Sequence, residues 1–126
     1  MREILFRGKK LDNGQWTYGL PTYDMEYVFG EDDLDSPDSY MVDVNTVGQH
    51  IGFSDKNGVK IFEGDICAHN NEYHYPRPLI VEWIKEYACY AFVDVNDYHK
   101  NYFFQEKNMK DIKVIGNIYD NKELID

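Results

Sequence analysis

The sequence predicts an all-β fold, a small barrel or sandwich of short antiparallel strands with at most one helical turn at its C-terminus. Three observations lead there. Runs of β-branched and aromatic residues are short and closely spaced, Asn-Gly pairs at 13–14 and 57–58 punctuate them, and hardly any stretch keeps a helical apolar period. A parallel sheet would need crossover helices of about a dozen residues, and no segment offers one.

Residues 1–20 read as a hairpin. Ile4, Phe6 and Leu11 alternate weakly, Asp12, Asn13 and Gly14 supply a positive-φ turn, and Trp16, Thr17 and Tyr18 resume β-formers. Residues 24–39 form a variable acidic segment, holding Asp24, Glu26, Glu31, Asp32, Asp33, Asp35 and Asp38. Only Tyr27, Val28 and Phe29 favour order there, and 30–39 reads as a mobile loop.

Residues 40–119 form the β core. Within it, 40–44 is a strand, 47–53 a separate short apolar stretch, and 55–58 a turn followed by a strand at 59–62. Gly64 permits a bend before 66–69. The strongest strand signals are 79–84 and 87–95, separated by Lys85 and Glu86 at the length of a two-residue hairpin loop; Lys-Glu is a poor primed-turn pair, which leaves the loop open to borrowing a flanking residue. This hairpin is the expected centre of the core. In 96–111, Tyr102, Phe103 and Phe104 favour a strand while 105–110 tolerates a helical turn. Strand character returns at 113–119, and Asp120 with Glu123 has capping-box spacing ahead of a closing helical turn. At 126 residues and 14.9 kDa the chain reads as one domain, 1–126, around one core.

Charge excludes one class of function. Thirteen Lys and Arg stand against 23 Asp and Glu, a net charge of −10, whereas a site built on phosphate counterion release needs clustered cations. With 43% hydrophobic and 16% aromatic residues, the chain can still bury a core. The first ten residues lack the apolar stretch of a signal peptide, and no apolar run approaches the roughly 20 residues that span a bilayer. A cytoplasmic location is expected, with Cys67 and Cys89 as reduced, small apolar residues.

Three blocks resemble a known family. Residues 4–19 (ILFRGKKLDNGQWTYG), 46–66 (TVGQHIGFSDKNGVKIFEGDI) and 114–124 (VIGNIYDNKEL) resemble, in order, the opening, main signature and closing segment of the YopX family of phage and prophage proteins. The resemblance implies a small β-rich protein encoded by temperate phages of Gram-positive and related bacteria, acting in the host cytoplasm. It implies no established activity, cofactor or catalytic residue. The motif residues Gly48, Gln49, Gly52, Asp55, Asn57, Gly58, Glu63, Gly64, Asp65, Gly116 and Asn117 read as architecture, chiefly turn and bend chemistry: Gly58 closes a turn, Gly64 a bend, Asp65 accepts backbone N–H groups there, and Asn117 caps a strand end.

Candidate chemistry is sparse. Cys67, His69, His74 and Cys89 are the right types for tetrahedral zinc, yet their spacing matches no familiar zinc module, so no metal or cofactor is expected. The acids of 24–39 lack the EF-hand pattern. Ser36, Ser39 and Ser54 lie in polar turns outside any nucleophile elbow, phosphate loops are absent, and Glu63 with Asp65 is indistinguishable from chance carboxylate pairing. No catalytic residue, no enzyme activity and no small-molecule substrate are expected.

The remaining excess is tyrosine, a strand former and an interface residue. Tyr73, His74 and Tyr75, in the loop at 70–78, are the expected binding residues for a protein partner or a second copy, with the carboxylates steering a basic partner or imitating DNA phosphates. The alternatives are single-stranded nucleic-acid binding through Arg77, Lys85, Lys100, Lys107, Lys110 and Lys113, and an unrecognised hydrolase with a convergent polar pocket. No membrane partner is expected.

Overall fold

The computed structural model describes residues 3–30, 37–69, 78–95, 97–103 and 110–125. The described chain is all-β. Its strands are β1 (Phe6–Lys10), β2 (Trp16–Pro21), β3 (Val28–Phe29), β4 (Val42–Ser54), β5 (Lys60–Phe62), β6 (Asp65–His69), β7 (Pro78–Ile84), β8 (Cys89–Asp94), β9 (Asp97–Phe103) and β10 (Ile112–Asn117). They form two five-stranded sheets, ordered β3-β2-β1-β4-β5 and β10-β6-β7-β8-β9, and every strand pairing with a registered partner is antiparallel. The helical pieces among the described residues are short 3₁₀ turns at Pro37–Tyr40, Lys85–Tyr87 and Lys122–Leu124. The chain falls into two compact units, Met1–His50 and Ile51–Asp126.

In the first unit the expected hairpin forms, with Arg7 opposite Tyr18 and Lys9 opposite Trp16. Gly14 takes φ 71°, and the Asn13 side chain accepts the Gln15 N–H at 2.9 Å, so the turn residues act as their types suggest. β3 joins β2 with Leu20 opposite Phe29. β4 pairs with β1, but its register jumps: Arg7 faces Gly48 while Lys9 faces Asp43. The extra residues form a bulge held by Thr46, whose hydroxyl accepts the Lys9 N–H at 2.9 Å and donates to the Asp43 carbonyl at 2.6 Å. The stretches 40–44 and 47–53, read separately from sequence, are therefore parts of one bulged strand. Val28, Tyr40 and Val42 are buried. A Cβ on Gly8 would lie 2.9 Å from the Val42 side chain, so glycine is what lets β1 lie against it.

The segment 30–39, read as a mobile loop, contains the start of a 3₁₀ turn at Pro37–Tyr40; proline fits the first position of such a turn because its φ is already set. That turn leads to Tyr40, whose ring lies 6.0 Å from Phe29 and under the Lys10 ammonium at 5.1 Å. Residues 31–36 lie outside the described residues.

In the second unit Ile51, Ile61, Cys67, Leu79, Val81, Phe92 and Ile112 form the core. The β7–β8 hairpin is central, as expected, but its loop is longer than two residues. Ile84 pairs with Cys89, leaving 85–88 as the connection: a 3₁₀ turn closed by Ala88 in the left-handed region at φ 50°. Alanine rarely marks that conformation, so Tyr87 and Ala88 looked like strand. β9 pairs with β8, giving the strand alternative for 97–103, and residues 104–109 lie outside the described residues.

β10 pairs with β6. Its outer side is engaged by the turn after β4: the Lys56 N–H donates to the Ile112 carbonyl and the Val114 N–H to Asp55 Oδ2, each at 2.9 Å. At the C-terminus the closing turn forms at Lys122–Leu124, yet Asp120 does not cap it. Asn121 occupies the cap position and makes no side-chain cap bond; its Oδ1 accepts the Asn117 N–H at 3.1 Å instead. A glycine at 116 leaves room for this, because a Cβ there would lie 2.5 Å from that oxygen.

Candidate functional site

The polar motif residues are largely occupied with backbone. Asp55 is buried, and its Oδ1 accepts the Asn57 and Val59 N–H groups at 2.8 and 2.9 Å while Oδ2 accepts that of Val114. Asp65, also buried, accepts the Phe62 N–H at 2.8 Å across the bend. Asn117 Oδ1 accepts from the Tyr119 and Asp120 N–H groups at 3.0 and 2.9 Å. Gly52, Gly58 and Gly64 take φ of 96°, 81° and 90°, conformations that L side chains rarely adopt. Gly64 also donates to the Val81 carbonyl and accepts the Ile118 N–H, both at 2.9 Å, which joins the central block to the closing one. Gly48 sits opposite Arg7 in the first unit.

The sequence candidates for chemistry do not assemble among the described residues. Tyr73, His74 and Tyr75 lie outside them. Cys67 pairs with Leu79 and Cys89 with Ile84, so the two cysteines flank β7 five positions apart and on opposite faces, offset by about 16 Å along the strand at the usual rise. Both are free thiols. Among the described residues no three His, Cys, Asp or Glu side chains converge as a metal site. Lys113 aligns through Ala68 with Pro78, at the far end of β7 from Lys85, roughly 23 Å away by the same rise. No helix among the described residues is long and apolar enough to cross a membrane.

What the fold does assemble is an outward apolar row on the first unit. Alternation puts Trp16, Tyr18 and Leu20 on one face of β2, and the register continues it across to Phe29 on β3 and to Arg7 and Lys9 on β1. Tyr18, Leu20 and Phe29 are 48%, 58% and 40% exposed. Between them Thr17, Gly19 and Val28 point the other way and are buried, with the Thr17 hydroxyl donating to the Val28 carbonyl at 3.0 Å. The pattern is inverted: small or hydroxylated residues face in while large apolar ones face out. At the β1 end of the row Arg7 is buried, its guanidinium 4.6 Å from the centroid of the Trp16 ring, in the range of a cation–π contact.

The row was missed from sequence for a specific reason. Alternation shows that 16, 18 and 20 share a face but not which face is inside, and the larger residues are the default choice for the interior. A Cβ on Gly19 would collide with the backbone of Phe29 and Gly30, so glycine is what lets β3 come this close to β2.

The crystal structure of protein EF1440 from Enterococcus faecalis matches over 100% of both chains with a TM-score of 0.72 at 22% identity, a likeness of fold. No curated protein matches the sequence. A family model described as YopX protein matches residues 6–126, nearly the whole chain and all three blocks beyond the first two residues of the opening one, and the chain therefore belongs to the YopX family.

Proposed function

We propose that the chain is a phage- or prophage-encoded accessory protein that works in the host cytoplasm by binding another protein, without catalysing a reaction. The observation that carries this is the outward row Tyr18, Leu20 and Phe29. Large apolar side chains facing water on neighbouring strands are costly to keep unless something covers them, and aromatic residues concentrate where protein surfaces meet. The carboxylates and amides of the motif residues Asp55, Asp65 and Asn117 meanwhile hold turns together. The net charge of −10 supports a protein ligand over a nucleic acid, since strand binding needs a continuous cationic track.

The test is affinity capture from extract of a bacterial host, followed by purification of the retained protein and a binding titration. A Tyr18→Ser, Leu20→Ser variant is expected to weaken that binding at least tenfold with its melting temperature little changed, because both side chains are exposed. Equal binding by the variant, or tight binding of a single-stranded oligonucleotide at moderate salt, contradicts the reading. Sedimentation adds the self-assembly outcome: a mass that is a multiple of 14.9 kDa, lost in the same variant, assigns the row to contact between copies.

A further inference from the structure

Next to the row, the β2–β3 connection carries the most exposed aromatic side chain of the first unit. Tyr23 is 104% exposed and Met25 is 40% exposed. A connection this apolar at its tip would ordinarily be loose or tucked in; here it is held out and held rigid. The Thr22 N–H donates to the Tyr27 carbonyl at 3.0 Å and the Met25 N–H to the Thr22 carbonyl at 2.9 Å. The Thr22 hydroxyl donates to Asp24 Oδ1 at 2.7 Å and accepts the Tyr27 N–H at 3.2 Å, while the Glu26 N–H donates to the same Asp24 oxygen at 3.1 Å. Met25 sits at φ 63°, a left-handed conformation that a long side chain adopts only when its surroundings enforce it.

The charges on this connection itself have one sign. Asp24 and Glu26 are exposed beside Tyr23 and Met25. From residue 11 to residue 55 the sequence has ten acids, Asp12, Asp24, Glu26, Glu31, Asp32, Asp33, Asp35, Asp38, Asp43 and Asp55, and no Lys or Arg. The other 13 acids balance the 13 cations, so the whole net charge of −10 belongs to this stretch. A second copy seated symmetrically on the tip would place Asp24 and Glu26 against their own counterparts, which like-charge repulsion disfavours. A basic surface would complement it.

We propose that residues 22–27 are a preshaped plug that seats Tyr23 and Met25 in an apolar pocket rimmed by Lys and Arg on a partner protein. The proposal rests on the protein-binding reading above and adds the contact element and the partner's chemistry. Rigidity lowers the ordering cost of docking, and Tyr contributes a large contact for two side-chain torsions. Hydrogen bonds from the Thr22 hydroxyl and then the Glu26 N–H hold the Asp24 carboxyl below its ordinary value of 3.8, so it stays ionised beside the tip.

The experiment places the photo-crosslinking residue p-benzoylphenylalanine at position 23 in one full-length protein and at position 18 in another, each expressed in the bacterial host. The cross-linked protein is then purified and titrated against the unmodified chain. Expected are an adduct from position 23 to a protein with a basic surface, at least tenfold weaker binding by Tyr23→Ser and by Met25→Ser, and weaker binding as salt rises. An adduct from position 18 but not 23 overturns the plug and leaves the binding reading standing. No adduct from either overturns both. An adduct from 23 to another copy or to a nucleic acid, binding indifferent to the two substitutions, or binding indifferent to salt each overturns the proposal.

Discussion

Asp55 accepts N–H groups from its own turn and from Val114, 59 residues away in sequence. Asp55→Ala removes all three acceptor contacts from a buried position, and hydrogen bonds to a carboxylate contribute about 1.5–3 kcal/mol each, part of which water restores in the exposed turn. A loss of about 3 kcal/mol in unfolding free energy is expected from urea titration, with Asp55→Asn milder because one acceptor oxygen remains. The turn at Asn57 and Gly58 was legible because Asn-Gly is local chemistry. The tie to Val114 was not, since no spacing rule reaches across 59 residues. Glu82 supplies a test by pH. Burial holds its carboxyl above the ordinary value of 4.5, so the folded state keeps the proton longer than the unfolded chain does. Below 4.5 both states are protonated and nothing is lost; as pH rises through the raised value, ionisation costs the folded state some stability. Glu82→Gln is therefore expected to raise the melting temperature slightly at pH 7 and not at pH 3.5, and an equal shift at both pH values contradicts this.

Hairpins show how far local sequence reaches. The β1–β2 turn was readable because Asn13 and Gly14 are the residue types that the geometry demands. The β7–β8 connection was misjudged because its left-handed position is filled by Ala88, which gives no compositional warning. Glycine carries no steric cost there, so Ala88→Gly is expected to stabilise the protein by about 0.5–1 kcal/mol in denaturant titration. Destabilisation would mean that the methyl group packs more than the strain costs. β4 was split in the sequence reading at the place where Thr46 holds its bulge, a device whose hydrogen bonds run to β1 and leave no mark on hydrophobic periodicity. Edges are guarded at this scale too. The turn after β4 covers the outer side of β10, and β3 is only two residues long, which limits pairing with other strands and leaves side-chain faces as the means of contact.

Across the molecule, charge and apolar exposure fall in the same part of the chain. The net charge of −10 lies between residues 11 and 55, and so does the row of Tyr18, Leu20 and Phe29. The all-β class was legible from strand and turn chemistry, and the YopX family from three blocks. The outward row was not, because period-two alternation specifies two faces without saying which one meets water. The most direct measurement is hydrogen–deuterium exchange of the chain with and without its purified partner. Protection is expected at 16–29, covering β2, the plug and β3; protection confined to the β7–β8 tip around Trp83 and Tyr87, or no change on binding, would contradict the account.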